Sequence, residues 1–584
     1  MKPRAILSTC ILLIILAGCA PGTATATLPA QNPTASPTLS PRDKMATAIA
    51  IDRATQSVKP TRIPSPTPDP STLLSSGGWW NDTVFYEIFV RSFKDSNGDG
   101  VGDINGLIEK LDYLNDGDPD TTTDLGVTGI WLMPITESPS YHGYDVADYY
   151  SVDREYGTKE DFLRLIDAAH QRGIKVIVDL VINHTSDQNN WFKESNAGNP
   201  AYRDWYIWSE SNPGYSGPWG QNVWHVGQNG YYYGLFWSGM PDLNLKNPAV
   251  TAEIDNITRF WLEDMHVDGF RMDAIRHLIE NGEQQENTTQ THEWLKNFHR
   301  YYKSVDPQAF TVGEAWTQTP QIVEYVGDEM DIAFEFDLAQ TFMSAAMGSQ
   351  ASGASKQMNV VLGNYPKDQY GVFLTNHDQT RVMSVLQDLK KAELAAVLLL
   401  TSPGVPFIYY GEEIGMTGTK PDENIRRPMQ WIGSDSKVGF STATPWNAAS
   451  KDYPAINVAT ESNDPDSLLS VYRDLIRLRN DHAALRTGQT LVVESGSTRL
   501  YAILRYNDRE AFLILVNVNS NALVTNQFKL TLAQGPFTGP VTATSTWGLI
   551  DPSAPEINAG GGFDAYAPFT EIPGQSAAII QLTP

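Results

Sequence analysis

The sequence predicts an α/β fold: a (β/α)8 TIM barrel, a small domain inserted after its third strand, and a C-terminal antiparallel β-sandwich. Three observations carry this. Beyond Trp79, short β-branched or aromatic runs alternate with helical patterns, the signature of βα units and a parallel sheet. One connection, between the third and fourth runs, is far longer than an ordinary βα loop. After about Asp481 the pattern changes to alternating strands separated by turn residues, as at 500–506, 510–518 and 528–532.

The candidate barrel strands lie at 83–90, 127–134, 174–181, 269–272, 309–312, 331–336, 370–374 and 405–410. They assign residues 77–184 and 246–480 to the barrel, 185–245 to the insertion and 481–584 to the C-terminal domain. The insertion is rich in aromatic residues, among them Trp191, Trp205, Trp208, Trp219, Trp224, Tyr231 to Tyr233, Phe236 and Trp237. Most of these rings are expected to form the small domain's own core, and the rest to line one wall of a cleft.

At 584 residues the chain is too long for one ordinary core, and 15 Trp with 25 Tyr supply enough apolar surface for several. A formal net charge of −26 repels nucleic acid and anionic headgroups, so neither is an expected partner. Neutral sugars fit that charge. At the N-terminus Lys2 and Arg4 precede an apolar run too short to span a membrane, which reads as an export signal over residues 1–18. Its end, Leu16-Ala17-Gly18-Cys19, resembles the bacterial lipobox, which implies a lipid on Cys19 and attachment to the cell envelope with the folded domains outside the cytoplasm. Residues 19–76 are dominated by Pro, Thr, Ser and Ala, a composition that cannot offset chain entropy by burial, and are expected to be a tether. Both cysteines, Cys10 and Cys19, precede the domains, so these hold no disulfide.

Three acids follow strand-like runs: Asp273 in GFRMDAIRH, Glu314 in TVGEAW and Asp378 in FLTNHDQTR. In a (β/α)8 barrel that position is the C-terminal face, where active sites lie. Asp or Asn also ends strands as a helix cap, but three acids in such contexts favour chemistry. Two carboxyl groups can break a glycosidic bond, one protonating the departing oxygen while the other attacks or stabilises the sugar carbon. Arg271, two positions before Asp273, points to the same face of the strand and can keep that carboxylate ionised. Glu314 needs the opposite, a desolvated setting to which Trp316 is expected to contribute.

The order of these acids and their flanking residues resembles the α-amylase family, glycoside hydrolase family 13, over about residues 79–478. The resemblance implies that Asp273 is the nucleophile, Glu314 the general acid/base and Asp378 the third acid, holding hydroxyls of the distorted sugar. His184 in DLVINH and His377 match the histidines that contact the reactive sugar, His142 and Tyr144 in YHGYDVADYY an early histidine and a stacking tyrosine, and Arg276 with His277 a pair on the leaving-group side. Asp179 is expected to order the neighbouring loop.

The segment DSNGDGVGD places oxygen donors at Asp95, Asn97, Asp99, Val101 (through its carbonyl) and Asp103, with glycines for a sharp turn, which is hard-cation chemistry. Unlike an EF-hand it has Gly106 at the twelfth position and must close through Asp103. Similar loops in relatives bind Ca²⁺, the one cofactor expected; the plain alternative is a solvated acidic turn.

MPDLN at 240–244 resembles the group intermediate between oligo-1,6-glucosidases and neopullulanases, and Ala274 resembles α-1,4-acting members. Exo-acting relatives close their pocket with an Asp at the position of Tyr141, paired to an Arg matching Arg426; a tyrosine cannot form that plug. The implied activity is internal, retaining cleavage of α-1,4-glucans and maltooligosaccharides by a monomeric α-amylase. The alternatives are a maltooligosaccharide-specific α-glucosidase, neopullulanase or glucosyltransferase of the same family and, more remotely, a non-catalytic glucan-binding lipoprotein.

Overall fold

A computed structural model describes residues 78–348 and 350–584. The expected signal and tether lie outside the described residues. Eight parallel strands close a barrel in sequential order: β1 (Phe85–Ile88), β2 (Gly129–Leu132), β3 (Lys175–Leu180), β4 (Gly269–Met272), β5 (Phe310–Gly313), β6 (Ile332–Phe334), β7 (Tyr370–Val372) and β8 (Val405–Tyr409), with β8 pairing back to β1. Each strand lies within one residue of its expected run, and every strand residue is buried except Lys175. A parallel sheet covered by helices on its outer face leaves few positions for polar residues, which is why these segments read as largely apolar runs.

The barrel interior is layered. At its base Phe85 stacks on Phe407 (4.7 Å between centroids) and Phe310 (5.5 Å), while Trp80 lies over Phe310 (5.0 Å) and closes the N-terminal mouth. Gly129 is required beside this layer, since a Cβ there would sit 2.6 Å from the Phe85 ring. Above it, residues facing the same way along their strands become charged: Glu87 on β1, Asp179 on β3 and Arg271 on β4, the last two paired in register. The outer helices follow ordinary rules. Lys159–Gln171, for example, starts with a Thr158/Asp161 capping box and buries Phe162, Leu165, Ile166 and Ala169 along one stripe.

The inserted segment contains a three-stranded sheet, Trp208–Ser209, Trp224–Gly227 and Gly230–Tyr233. Its separate core is small, Val223, Trp224, Tyr233 and Leu235, whereas Phe192, Tyr206 and Tyr232 join the barrel's core. Trp219 and Trp237 are the tryptophans of this segment left about half exposed.

In the C-terminal domain β9 (Gln489–Val492), β10 (Leu500–Tyr506), β11 (Ala511–Asn517), β12 (Thr542–Gly548) and β13 (Ser576–Thr583) form an antiparallel sheet in the order 9-10-11-13-12, backed by two two-stranded sheets. The central strand shows the physics. Ala511, Leu513 and Leu515 face the domain's own core, and Phe512, Ile514 and Val516 face the core shared with the barrel. Two buried faces dock this sheet firmly on the barrel flank, and burying a side chain of that size stabilises by roughly 1.5–3 kcal/mol.

Candidate active site

β4 and β5 end one residue before Asp273 and Glu314, so the two acids emerge side by side at the C-terminal face. Asp378 follows on the loop beyond β7, which is shorter than the expected strand. Arg271 organises the centre. It is 1% exposed; its Nη1 donates to Asp273 Oδ1 (2.6 Å) and Asp179 Oδ1 (2.9 Å), and its Nη2 donates to Glu314 Oε2 (2.7 Å). The backbone then turns through the left-handed region at Ala274 (φ 48°), and the Ala274 N–H also donates to Glu314 Oε2 (3.3 Å).

Three buried carboxyls share this one cation, so they cannot all ionise cheaply. Burial pushes the Glu314 carboxyl up to about 7 against the pull of Arg271, with Asp273 and Asp378 adding to the rise. Burial likewise raises Asp179 to about 6. Asp378 behaves oppositely: despite burial, the charges of His377 and Arg426 hold it well below the usual carboxylate range. Its carboxylate accepts from Arg426 Nη2 (2.8 Å) and lies 3.3 Å from His377 Nε2, with about a third of the side chain (35%) open. One carboxyl suited to donate a proton therefore stands beside another kept as an anion.

The histidines divide by exposure. His142 Nδ1 accepts the Tyr144 N–H (3.1 Å), leaving Nε2 to carry the proton, and its side chain is 22% exposed. His377 is fully buried. Its Nδ1 donates to Glu87 Oε1 (2.5 Å) and its Nε2 to the Tyr144 hydroxyl (2.7 Å), which passes its own proton to Asp179 Oδ2 (3.0 Å). His184 is 1% exposed, and its Nε2 donates to the Tyr144 carbonyl (3.1 Å). Thus His377 and His184 are enclosed and already partnered, holding Asp378 and Tyr144 rather than facing open space.

A family model described as "Alpha amylase, catalytic domain" matches residues 87–488. The chain belongs to the α-amylase family. It is 40% identical over 457 residues to alpha-amylase 3 of Dictyoglomus thermophilum, covering 76% of this chain and 85% of that protein. It is 33% identical over 550 residues to an oligo-1,6-glucosidase of Heyndrickxia coagulans, covering 80% and 97%. The crystal structure of an alpha-amylase from H.orenii superposes with a TM-score of 0.74 at 40% identity, covering 85% of this chain and 99% of that one.

The other expected residues have definite partners. Asp179 lies beneath the acids, bonded to Arg271, to the Trp131 indole N–H (3.3 Å) and to the Tyr144 hydroxyl, through which it ties the loop after β2 to the centre. Trp316, expected to help desolvate Glu314, is 49% exposed and lies flat on Phe336 (4.9 Å, 11°). Arg276 donates to the Trp316 carbonyl and pairs with Glu286 (2.8 Å), and His277 Nδ1 donates to the Gln285 carbonyl (2.9 Å). Tyr141 stacks on Trp446 (5.4 Å), and Arg426, with no acid at 141 to meet, turns to Asp378. Sequence reasoning missed Glu87, whose signal was its alternation with Phe85 on the inward face of β1.

The loop carrying Asp95, Asn97, Asp99, Val101 and Asp103 satisfies itself. Asp95 accepts from the Gly98 (2.6 Å) and Gly100 (2.8 Å) N–H groups and from Ser441 Oγ (2.5 Å); Asp99 accepts from Val101 N (2.8 Å) and Asn97 Nδ2 (3.0 Å). Asp103 caps the helix Ile104–Glu109 through Gly106 N (2.7 Å) and accepts from Ser96. Among the described residues no three acid, histidine or cysteine side chains converge as a metal-ligand set. The donors have the right chemistry for a hard cation, and here they bond to groups of the protein.

Proposed function

We propose that this family member is a retaining endo-hydrolase of α-1,4-glucosidic bonds in starch-like glucans and maltooligosaccharides, an α-amylase in activity. The observation that carries this is the single buried guanidinium bonded to both Asp273 and Glu314, with an ionised Asp378 beside them. In the first step an Asp273 oxygen attacks the anomeric carbon as its bond to the departing oxygen breaks, and the Glu314 proton passes to that oxygen. A glycosyl ester on Asp273 results. In the second step Glu314, now a carboxylate, takes a proton from water while the water oxygen bonds to the carbon and Asp273 leaves. Two inversions retain the α configuration. Arg271 holds one Asp273 oxygen in place by a charged hydrogen bond, and Asp378 suits hydroxyls of the distorted ring because it accepts hydrogen bonds without titrating in the working range.

Internal, α-1,4-directed cutting is supported by Tyr141 and Ala274 and by the name of the Dictyoglomus relative. The match to nearly the whole of an oligo-1,6-glucosidase favours a second reading, an oligosaccharide-specific hydrolase. Following iodine colour and reducing ends together on amylose separates the two. Rapid colour loss at few new ends fits internal cutting; colour that persists while ends accumulate refutes it.

Two further parts complete the proposal. Ca²⁺ would be a structural ion on the 95–103 loop, so chelation should lower the melting temperature by several degrees, restored by Ca²⁺, since a ligand that binds only the folded state stabilises it; unchanged melting would reject the ion. Export with a lipid on Cys19 predicts that Cys19→Ala moves the protein from the membrane fraction to the soluble one.

A further inference from the structure

The proposed chemistry orients a bound chain. On that reading Asp378 and His142 hold the sugar that Asp273 attacks, while Glu314 must reach the oxygen that departs. The departing chain therefore continues past Glu314, toward Arg276 and His277. Two indoles border that stretch. Trp316, two residues beyond Glu314, rests on Phe336, and its carbonyl is gripped by Arg276. Trp219 comes from the inserted segment; it is 53% exposed, its ring lies 5.7 Å from that of His277, and it stacks on Phe236 (5.8 Å, 30°). Gln285 ties the two elements together, since its side-chain amide donates to the Ser216 carbonyl (2.9 Å) while its backbone carbonyl accepts from His277.

Leaving half an indole in water forgoes apolar burial that Trp224, Tyr232 and Tyr233 achieve nearby in the inserted segment. Each of these two has one face covered by another ring, which fixes its angle. The rest is open.

We infer that Trp219 and Trp316 together form a platform for the departing chain, taking two or more glucose units by their apolar faces and so selecting long glucans over short ones. This rests on the hydrolase reading. Such contacts lie away from the bond that breaks, and their binding energy is available to position it. The platform draws one wall from the barrel and one from the insertion, so chain-length preference depends on a contact between two parts of the molecule.

The test compares maltohexaose with 4-nitrophenyl α-maltotrioside, which carries no sugar beyond the aryl bond. Trp219→Ala and Trp316→Ala should each lower kcat/KM on maltohexaose about tenfold, the equivalent of about 1.4 kcal/mol, and lower the ratio of the two substrates' kcat/KM at least about fivefold. Trp219→Phe and Trp316→Phe should recover most of the ratio, which a folding defect would not explain. Proportional losses on both substrates, or no loss on either, would overturn the platform. If the unaltered enzyme cleaves neither substrate, the hydrolase reading itself fails, a different result from lost preference.

Discussion

The barrel's C-terminal end holds two carboxylate-rich regions that differ in how their charge is met. The loop after β1 turns Asp95, Asp99 and Asp103 toward backbone N–H groups and hydroxyls, several of them within the loop itself. At the ends of β4 and β5, Asp179, Asp273 and Glu314 divide one guanidinium among them. A carboxylate with enough local donors is a structural brace. A carboxyl that must share one cation in a desolvated site is reactive, because its protonation depends on what its neighbours carry.

The widest separation between the regions should come from matched amide substitutions. Asp273→Asn removes the nucleophile and should cost at least about 10,000-fold in kcat, whereas Asp99→Asn in the loop should leave kcat within about twofold, both read on maltohexaose. Equal losses would erase the distinction.

Next in size is the acid. Glu314→Gln should cost about 100- to 10,000-fold. In the unaltered enzyme, activity should fall as pH rises through about 7, because the protonated form that donates to the departing oxygen is present below that value and lost above it. A kcat/KM profile flat from pH 6 to 9 would contradict the raised Glu314. Glu87→Gln weakens the anchor of His377, which supports Asp378; a loss of roughly 10- to 100-fold is expected, the scale of a buried hydrogen bond to a charged group. The melting temperature should fall as well, because the buried His377 loses its charged partner, so kcat is read at a temperature where the variant is fully folded.

The smallest effect belongs to the loop. With chelator present in both samples, so that only the cap is compared, Asp103→Ala removes a helix N-cap worth about 1 kcal/mol and should lower the melting temperature by only about 1–2 °C while activity persists.

The eight strands were legible because a parallel sheet buried on both sides leaves largely apolar runs, and β4 was read to the residue. The acids were legible because they follow those runs directly. What escaped was partnership across the chain. Arg271 faces Asp273 within one strand, but its bonds to Asp179 and Glu314 span 92 and 43 residues. Arg426 reaches Asp378 across 48 residues, and Ser441 closes on Asp95 across 346. The exposure of Trp316 was also invisible, since its neighbour Phe336 begins a different helix. The insertion's aromatic wealth read as a separate core, yet much of it is spent on the barrel, because a segment with so small a core of its own must borrow apolar surface.

The most direct test of the central claim is to watch the anomeric proton of the new reducing end by NMR in the first minutes of maltohexaose cleavage, with the Asp273→Asn protein as the blank. The account predicts that the α anomer appears first and relaxes to the equilibrium mixture, with no product in the blank. Initial β product, or α product formed at an undiminished rate without Asp273, would contradict it.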